Sequence, residues 1–267
     1  MAYTTLDLKR DGQVAWLTLN RPAELNALNT TMVTELREFF TALATDRDTR
    51  VVVLRGAGRA FCAGLDLKEN VGSEGDGMGS VQAGLRSQRR ISELVMMMRR
   101  APQPIIACVH GPACGGGFAL ALAADVRIAG DSARMNAAFI RIGLSACDVG
   151  VSYFLPRLVG VSVASELLLT GRFIQAQRAL ATGLVSEVVP DGEMEAAARR
   201  LVDDMVATSP LGLRLTKECL NASVDAGSLE QVIAMEDRNQ VLCTRTNDFR
   251  EGVIAFLQKR RPQYTES

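Results

Sequence analysis

The stretch Pro112–Val126, PACGGGFALALAADV, sets three consecutive glycines directly against a run of alanine and leucine. Glycine costs roughly 1 kcal/mol relative to alanine inside a helix, so Gly115, Gly116 and Gly117 at the mouth of a strong helix former need a physical reason. Either a neighbouring backbone approaches so closely that no Cβ fits, or the N–H groups at the helix start are left pointing at something.

The segments around the triplet place it in an α/β chain. PIIACV before it and VRIAG after it read as strands. Further upstream, YTTLDLKR and VAWLTLN are β-patterned runs joined by Asp11-Gly12, the signature of a hairpin. NTTMVTELREFFTALATD follows as an amphipathic helix with Asn29 or Thr30 as its cap, and VVVLRGAG as a buried strand ending in glycine. NVGSEGDGMGS reads as a mobile loop, and VQAGLRSQRRISELVMMMRR as a helix whose methionine stripe is expected in the core. Beyond about residue 190 four helical segments follow one another without strands. The predicted organisation is a core over residues 1–190 and a helical C-terminal region over 191–267.

Composition narrows the function. In 267 residues, 30 basic side chains balance 30 acidic ones, which leaves no global field for nucleic acid or an anionic membrane. Apolar runs are broken by charge or glycine before membrane-spanning length, and MAYTTLDLKRDG does not read as a signal peptide. A cytoplasmic protein is the expectation. Six scattered cysteines without a C-x-x-C pair, and one histidine in the whole chain, argue against a metal site. All six cysteines are expected as reduced core residues, and His110 as a packed, hydrogen-bonded side chain. No G-x-S-x-G elbow accompanies that histidine, and no phosphate-loop or dinucleotide fingerprint is present.

Two loops favour an anion. AGRAFCAGLDLKE, residues 57–69, follows a strand, and Gly64 frees the chain to turn and present an N–H outward. The glycine triplet does the same at a helix N-terminus, where unpaired N–H groups and the helix dipole favour negative charge. Two such donors aimed at one point make an oxyanion hole.

NRPAELNALN, FCAGLDLKE, HGPACGGGFALALAADVRIA, GRFIQAQRALATGLVSEVV and EGVIAFLQKRRP occur in that order between residues 3 and 262. Together they resemble the crotonase superfamily, the enoyl-CoA hydratase/isomerase family. The resemblance implies an α/β fold, a spiral of ββα turns with a helical C-terminal trimerisation region, assembled as a homotrimer or hexamer. It implies an enzyme of the hydratase (lyase) or isomerase type in fatty-acid or related acyl-CoA metabolism. The ligand would be an acyl-CoA thioester, with CoA part of the substrate and no separate cofactor. Its carbonyl oxygen would accept from the N–H groups of Leu65 and Gly116. CoA would run along Leu65, Asp66, Leu67 and Lys68, and Lys68 and Lys259 of a neighbouring subunit would meet phosphates. Either lysine, read alone, is equally a solvated surface charge, and Asp66 reads as a carboxylate holding its loop.

The family's two catalytic glutamates are missing. The first position, three residues after the middle glycine, is Ala119. The second, four residues before Gly143, is Phe139. Neither side chain moves a proton, so ordinary hydration is not expected. Asp148, in IGLSACDVGVSYFLPRLVG, resembles the catalytic aspartate of dienoyl-CoA isomerases, although its spacing from Gly143 is one residue longer. It reads equally as an N-cap for the helix after it. Glu166 and Glu236 read as solvated or salt-bridged. The alternative to an enzyme is a member that binds acyl-CoA without hydratase chemistry.

Overall fold

The computed structural model describes residues 3–71 and 81–265. The Asp11-Gly12 signal closes a hairpin of β1 (Leu6–Asp11) and β2 (Val14–Leu19), antiparallel, with Gly12 at φ +56° in the turn. Helix α1 (Thr30–Leu43) starts at Asn29, whose side chain accepts from the Met32 N–H at 2.9 Å. Next come β3 (Val51–Gly56), the short α2 (Leu67–Val71) and α3 (Val81–Arg100). The stretch expected as a mobile loop, residues 70–80, lies outside the described residues apart from its first two, which end α2.

The chain then runs strand, short strand, helix: β4 (Ile105–Val109), β5 (Pro112–Cys114), α4 (Gly116–Ala123), then β6 (Val126–Gly130), β7 (Arg134–Asn136), α5 (Val151–Thr170). Strand β8 (Ile174–Gln175), α6 (Ala176–Ala181) and β9 (Glu187–Val189) finish the strands. One sheet has the order β1-β2-β3-β4-β6-β9, parallel from β2 onward, and a smaller one is β5-β7-β8. This is the ββα spiral.

Strand alternation explains the layers. Leu17, Leu54 and Ala107 face one core, shared with α1, α3 and α4. Trp16, Val53, Ile106 and Cys108 face a second core, closed by Ala197, Ala198 and Val202 of α7 (Met194–Val206). Both faces are covered, as parallel sheets require. The pattern boundary at residue 190 follows the last strand, yet α7 beyond it seals the sheet. Helices α8 (Pro210–Ser223), α9 (Leu229–Thr244) and α10 (Asn247–Leu257) instead leave Leu220, Leu229, Phe256 and Leu257 more than half exposed.

Three expectations need correction. The cysteines are not uniformly core: Cys62 and Cys108 are buried, Cys114, Cys219 and Cys243 half-buried, and Cys147 exposed. Met98 is buried, but Met96, two residues earlier on α3, faces outward because a methionine triplet spans more arc than one apolar stripe. Among the described residues α5 is long and apolar enough to cross a membrane by length and composition. It is broken at Gly160, carries Pro156 and packs Val151, Leu155 and Leu167 into the core.

Candidate active site

The glycine triplet serves both purposes raised by its sequence. Gly115 adopts φ +50°, and a Cβ there would lie 3.3 Å from the Phe139 ring. A Cβ on Gly117 would lie 2.2 Å from the Cys62 carbonyl oxygen, an impossible contact. Gly116, the first residue of α4, faces the second loop: its Cβ would stand 4.0 Å from the Leu65 nitrogen. Across from it, Gly64 takes φ +102° and passes so close to the Cys114 carbonyl that a side chain has no room.

The Leu65 N–H is left over by a ladder that uses its neighbours. Leu28 and Leu65 form an isolated parallel bridge, in which the Leu28 N–H donates to the Gly64 carbonyl and the Asp66 N–H to the Leu28 carbonyl. A parallel bridge turns the central residue's own N–H to the opposite side. The Gly116 N–H, at the first turn of a helix, has no intrahelical acceptor. Neither donates to another group among the described residues.

Helix α4 also carries a cation at its far end. Arg127, itself buried, donates to the Ala124 carbonyl at 2.6 Å and to the Leu184 carbonyl at 2.8 Å. Burial pulls its guanidinium down to about 10, and its charge sits where a helix dipole is negative. The positive end of α4 then faces the gap beside Leu65.

Arg21 pins the Leu65 loop. Its guanidinium donates to Asp66 Oδ2 at 2.9 Å and to the Ala27 carbonyl at 2.6 Å. That hydrogen bond, ahead of burial, which opposes it, holds the Asp66 carboxyl below the usual carboxylate range. Asp66 is thus the loop-holding carboxylate expected. Leu67 and Lys68 are exposed on α2, and the Lys68 N–H donates to Asp66 Oδ1 at 3.2 Å. Lys259 is exposed beyond α10 at φ +53°. Neither lysine forms an ion pair among the described residues.

A cavity of about 270 Å³ opens beside Leu65, between Leu28 and Asn29 on one side and Arg86, Ser87 and Ile91 of α3 on the other. Its lining does not include Asp148. Ala119 is wholly buried and Phe139 nearly so, both in the main apolar core. Cys62, just behind the triplet, is no nucleophile, because burial pushes its thiol up to about 12.

Asp148 is not the cap of α5. Gly150 holds that position with no side-chain cap, and the Asp148 carboxylate accepts instead from the adjacent Val149 N–H at 2.8 Å. Gln88 of α3 donates to the same oxygen at 2.5 Å. Val149 stands at φ +47°, a region that costs a β-branched residue on the order of 1–3 kcal/mol. Nothing in the sequence marks Gln88, one of many polar residues on the exposed stretch of α3. The other expected side chains are as read: Glu166 is paired with Arg178 and Arg172, Glu236 is exposed, and His110 Nε2 lies 2.8 Å from the Gly58 carbonyl oxygen. No cluster of three metal-ligating side chains occurs among the described residues.

A family model for enoyl-CoA hydratase/isomerase matches residues 9–267. The chain belongs to the enoyl-CoA hydratase/isomerase family. It is 40% identical to a Mycobacterium bovis protein named probable enoyl-CoA hydratase, over 95% of this chain and 90% of that one. It is 38% identical to the 1,2-epoxyphenylacetyl-CoA isomerase of Escherichia coli, over 94% of this chain and 95% of that one. The crystal structure of an enoyl-CoA hydratase from Bacillus anthracis superposes with a TM-score of 0.92 at 34% identity, covering 99% of this chain and all of the other. The family member described here is therefore an acyl-CoA-processing enzyme of the hydratase/isomerase type with the crotonase fold.

Proposed function

We propose that this enzyme shifts a double bond or exchanges a proton in an acyl-CoA, and does not hydrate it efficiently. The observation carrying the reading is the pairing of two unspent main-chain donors, Leu65 and Gly116, with apolar Ala119 and Phe139 in place of the two glutamates. The donors would hold the thioester oxygen as it becomes an enolate oxygen. CoA would follow Leu65, Asp66, Leu67 and Lys68, with Lys259 of a neighbouring subunit near its phosphates. The proton would move through Asp148, the acidic side chain held against α3 by Gln88. The E. coli isomerase among the relatives supports an isomerase-type reaction. Assembly as a trimer or hexamer is supported by the exposed leucines and phenylalanine of α8–α10, and a monomer at micromolar concentration in light scattering would overturn it. A cytoplasmic setting completes the proposal, and fractionation that placed the protein in a membrane would contradict it.

The cavity beside Leu65 stops short of Asp148, and that observation favours a second reading, an acyl-CoA binder without proton chemistry. Deuterium uptake into a bound 3-enoyl-CoA separates the two. Asp148→Asn should lose exchange by about 100-fold or more while keeping its affinity. Exchange at the wild-type rate in that variant would remove Asp148 from the mechanism, and no exchange in the wild type would favour the binder.

A further inference from the structure

We infer that Gln88 is a positioning residue, whose side-chain amide fixes one oxygen of Asp148 so that the other is presented for proton transfer. The inference rests on the proposed role of Asp148 and extends it to a residue on a different helix. Two donors, Gln88 Nε2 at 2.5 Å and the Val149 N–H at 2.8 Å, converge on Oδ1. Oδ2 accepts no hydrogen bond among the described residues. A carboxylate only accepts, so the Gln88 amide must turn its NH₂ toward it, and the direction of this bond is fixed by chemistry.

The surroundings make the division of labour between the two oxygens specific. Asp148 is half-buried, while Gln88 lies on the exposed face of α3 next to Ser87, which lines the cavity beside Leu65. One helix therefore borders the thioester site with one residue and grips the carboxylate with the next. The charged and titratable groups on the two neighbouring helices do not compete. Arg86 and Arg89 of α3 form no bond to Asp148, and Tyr153 and Arg157 of α5 are both engaged with Asp225. Gln88 thus supplies a neutral donor, which orients the carboxylate without the charge of a lysine or arginine that would weaken it as a base.

In the reaction, a C–H bond α to the thioester breaks and its electron pair enters the enolate. The proton goes to Asp148 Oδ2 and returns from there to the γ-carbon, so the step balances without a co-reactant. A carboxylate free to rotate would present either oxygen, and positional error of this kind costs up to about 100-fold in rate.

The test is isomerisation of a 3-enoyl-CoA by Gln88→Ala, Gln88→Glu and Gln88→Lys, with Asp148→Asn alongside. Gln88 is exposed, so melting temperatures should stay close to wild type. Gln88→Ala should lower kcat by about 10- to 100-fold with KM changed less than about 2-fold. Gln88→Glu should move the acid limb of the kcat/KM profile to higher pH, because a second carboxylate disfavours ionisation of the first. Gln88→Lys keeps a donor but adds the charge that weakens the base, so it should recover only part of kcat and move that limb to lower pH. Unchanged kcat and acid limb in the alanine and glutamate variants, with Asp148→Asn inactive, would overturn the role of Gln88 and leave that of Asp148 standing. Full activity in Asp148→Asn would overturn both.

Discussion

At Leu65 and Gly116 the groups the site offers are main chain, whereas at Ala119, Phe139 and Asp148 what the chain offers is decided by side chains. The first set depends on the fold as a whole: Gly117 passes the Cys62 carbonyl where no Cβ fits, Gly64 does the same at Cys114, and Arg127 caps the far end of α4. The second set depends on individual residues. Ala119 and Phe139 sit in the core as apolar packing, and no close backbone crossing dictates their residue type as it does that of Gly64 and Gly117. On the proposed reading, one scaffold keeps the means of holding a thioester while its proton chemistry is replaced.

The largest effect that would break this contrast is hydration. General acid–base groups contribute roughly 100- to 10,000-fold each, and the proposed reading puts Ala119 and Phe139 where the two glutamates would stand. Hydration of crotonyl-CoA, followed by loss of the enoyl absorbance, should run about 10,000-fold or more below a two-glutamate hydratase. Efficient turnover would mean that another carboxylate reaches the site.

Next in size is Gly116→Pro, which deletes one donor of the main-chain pair. Proline is tolerated at the first position of a helix, so the protein should fold, and loss of a donor of this type costs about 100- to 1,000-fold in kcat. Wild-type exchange activity in a folded variant would show that the hole is not formed there.

The smallest effect concerns the loop carrying Leu65. Asp66→Asn removes the negative charge that the Arg21 guanidinium bonds and should cost about 2 kcal/mol in denaturant unfolding at pH 7. Because the folded Asp66 titrates below its unfolded value of about 4, its contribution is complete above that value. It is lost as pH falls through the lowered folded value. The gap between wild type and variant should accordingly close in acid. A gap that persists there would assign the loss to packing and not to the charged pair.

Much of this contrast was legible in the sequence, for a physical reason. A main-chain donor at a crowded crossing demands glycine, so Gly64 and Gly115–Gly117 advertise it. The same one-dimensional pattern could not show that Asp148 bonds a residue 60 positions earlier, nor that Arg21 holds Asp66. It also placed the cap of α5 two residues early, since an aspartate before Val149-Gly150 looks like a cap until the positive φ of both residues is known. The exposure of the cysteines is hidden in the sequence for a related reason: burial is a property of the packed fold, and Cys147 lies exposed.

The most direct measurement is a crystal structure with a bound acyl-CoA. The account predicts the thioester oxygen about 3 Å from both the Leu65 and the Gly116 nitrogen, with Phe139 against the acyl group and no carboxylate in the place of Ala119. A thioester oxygen that bonds neither nitrogen would contradict it.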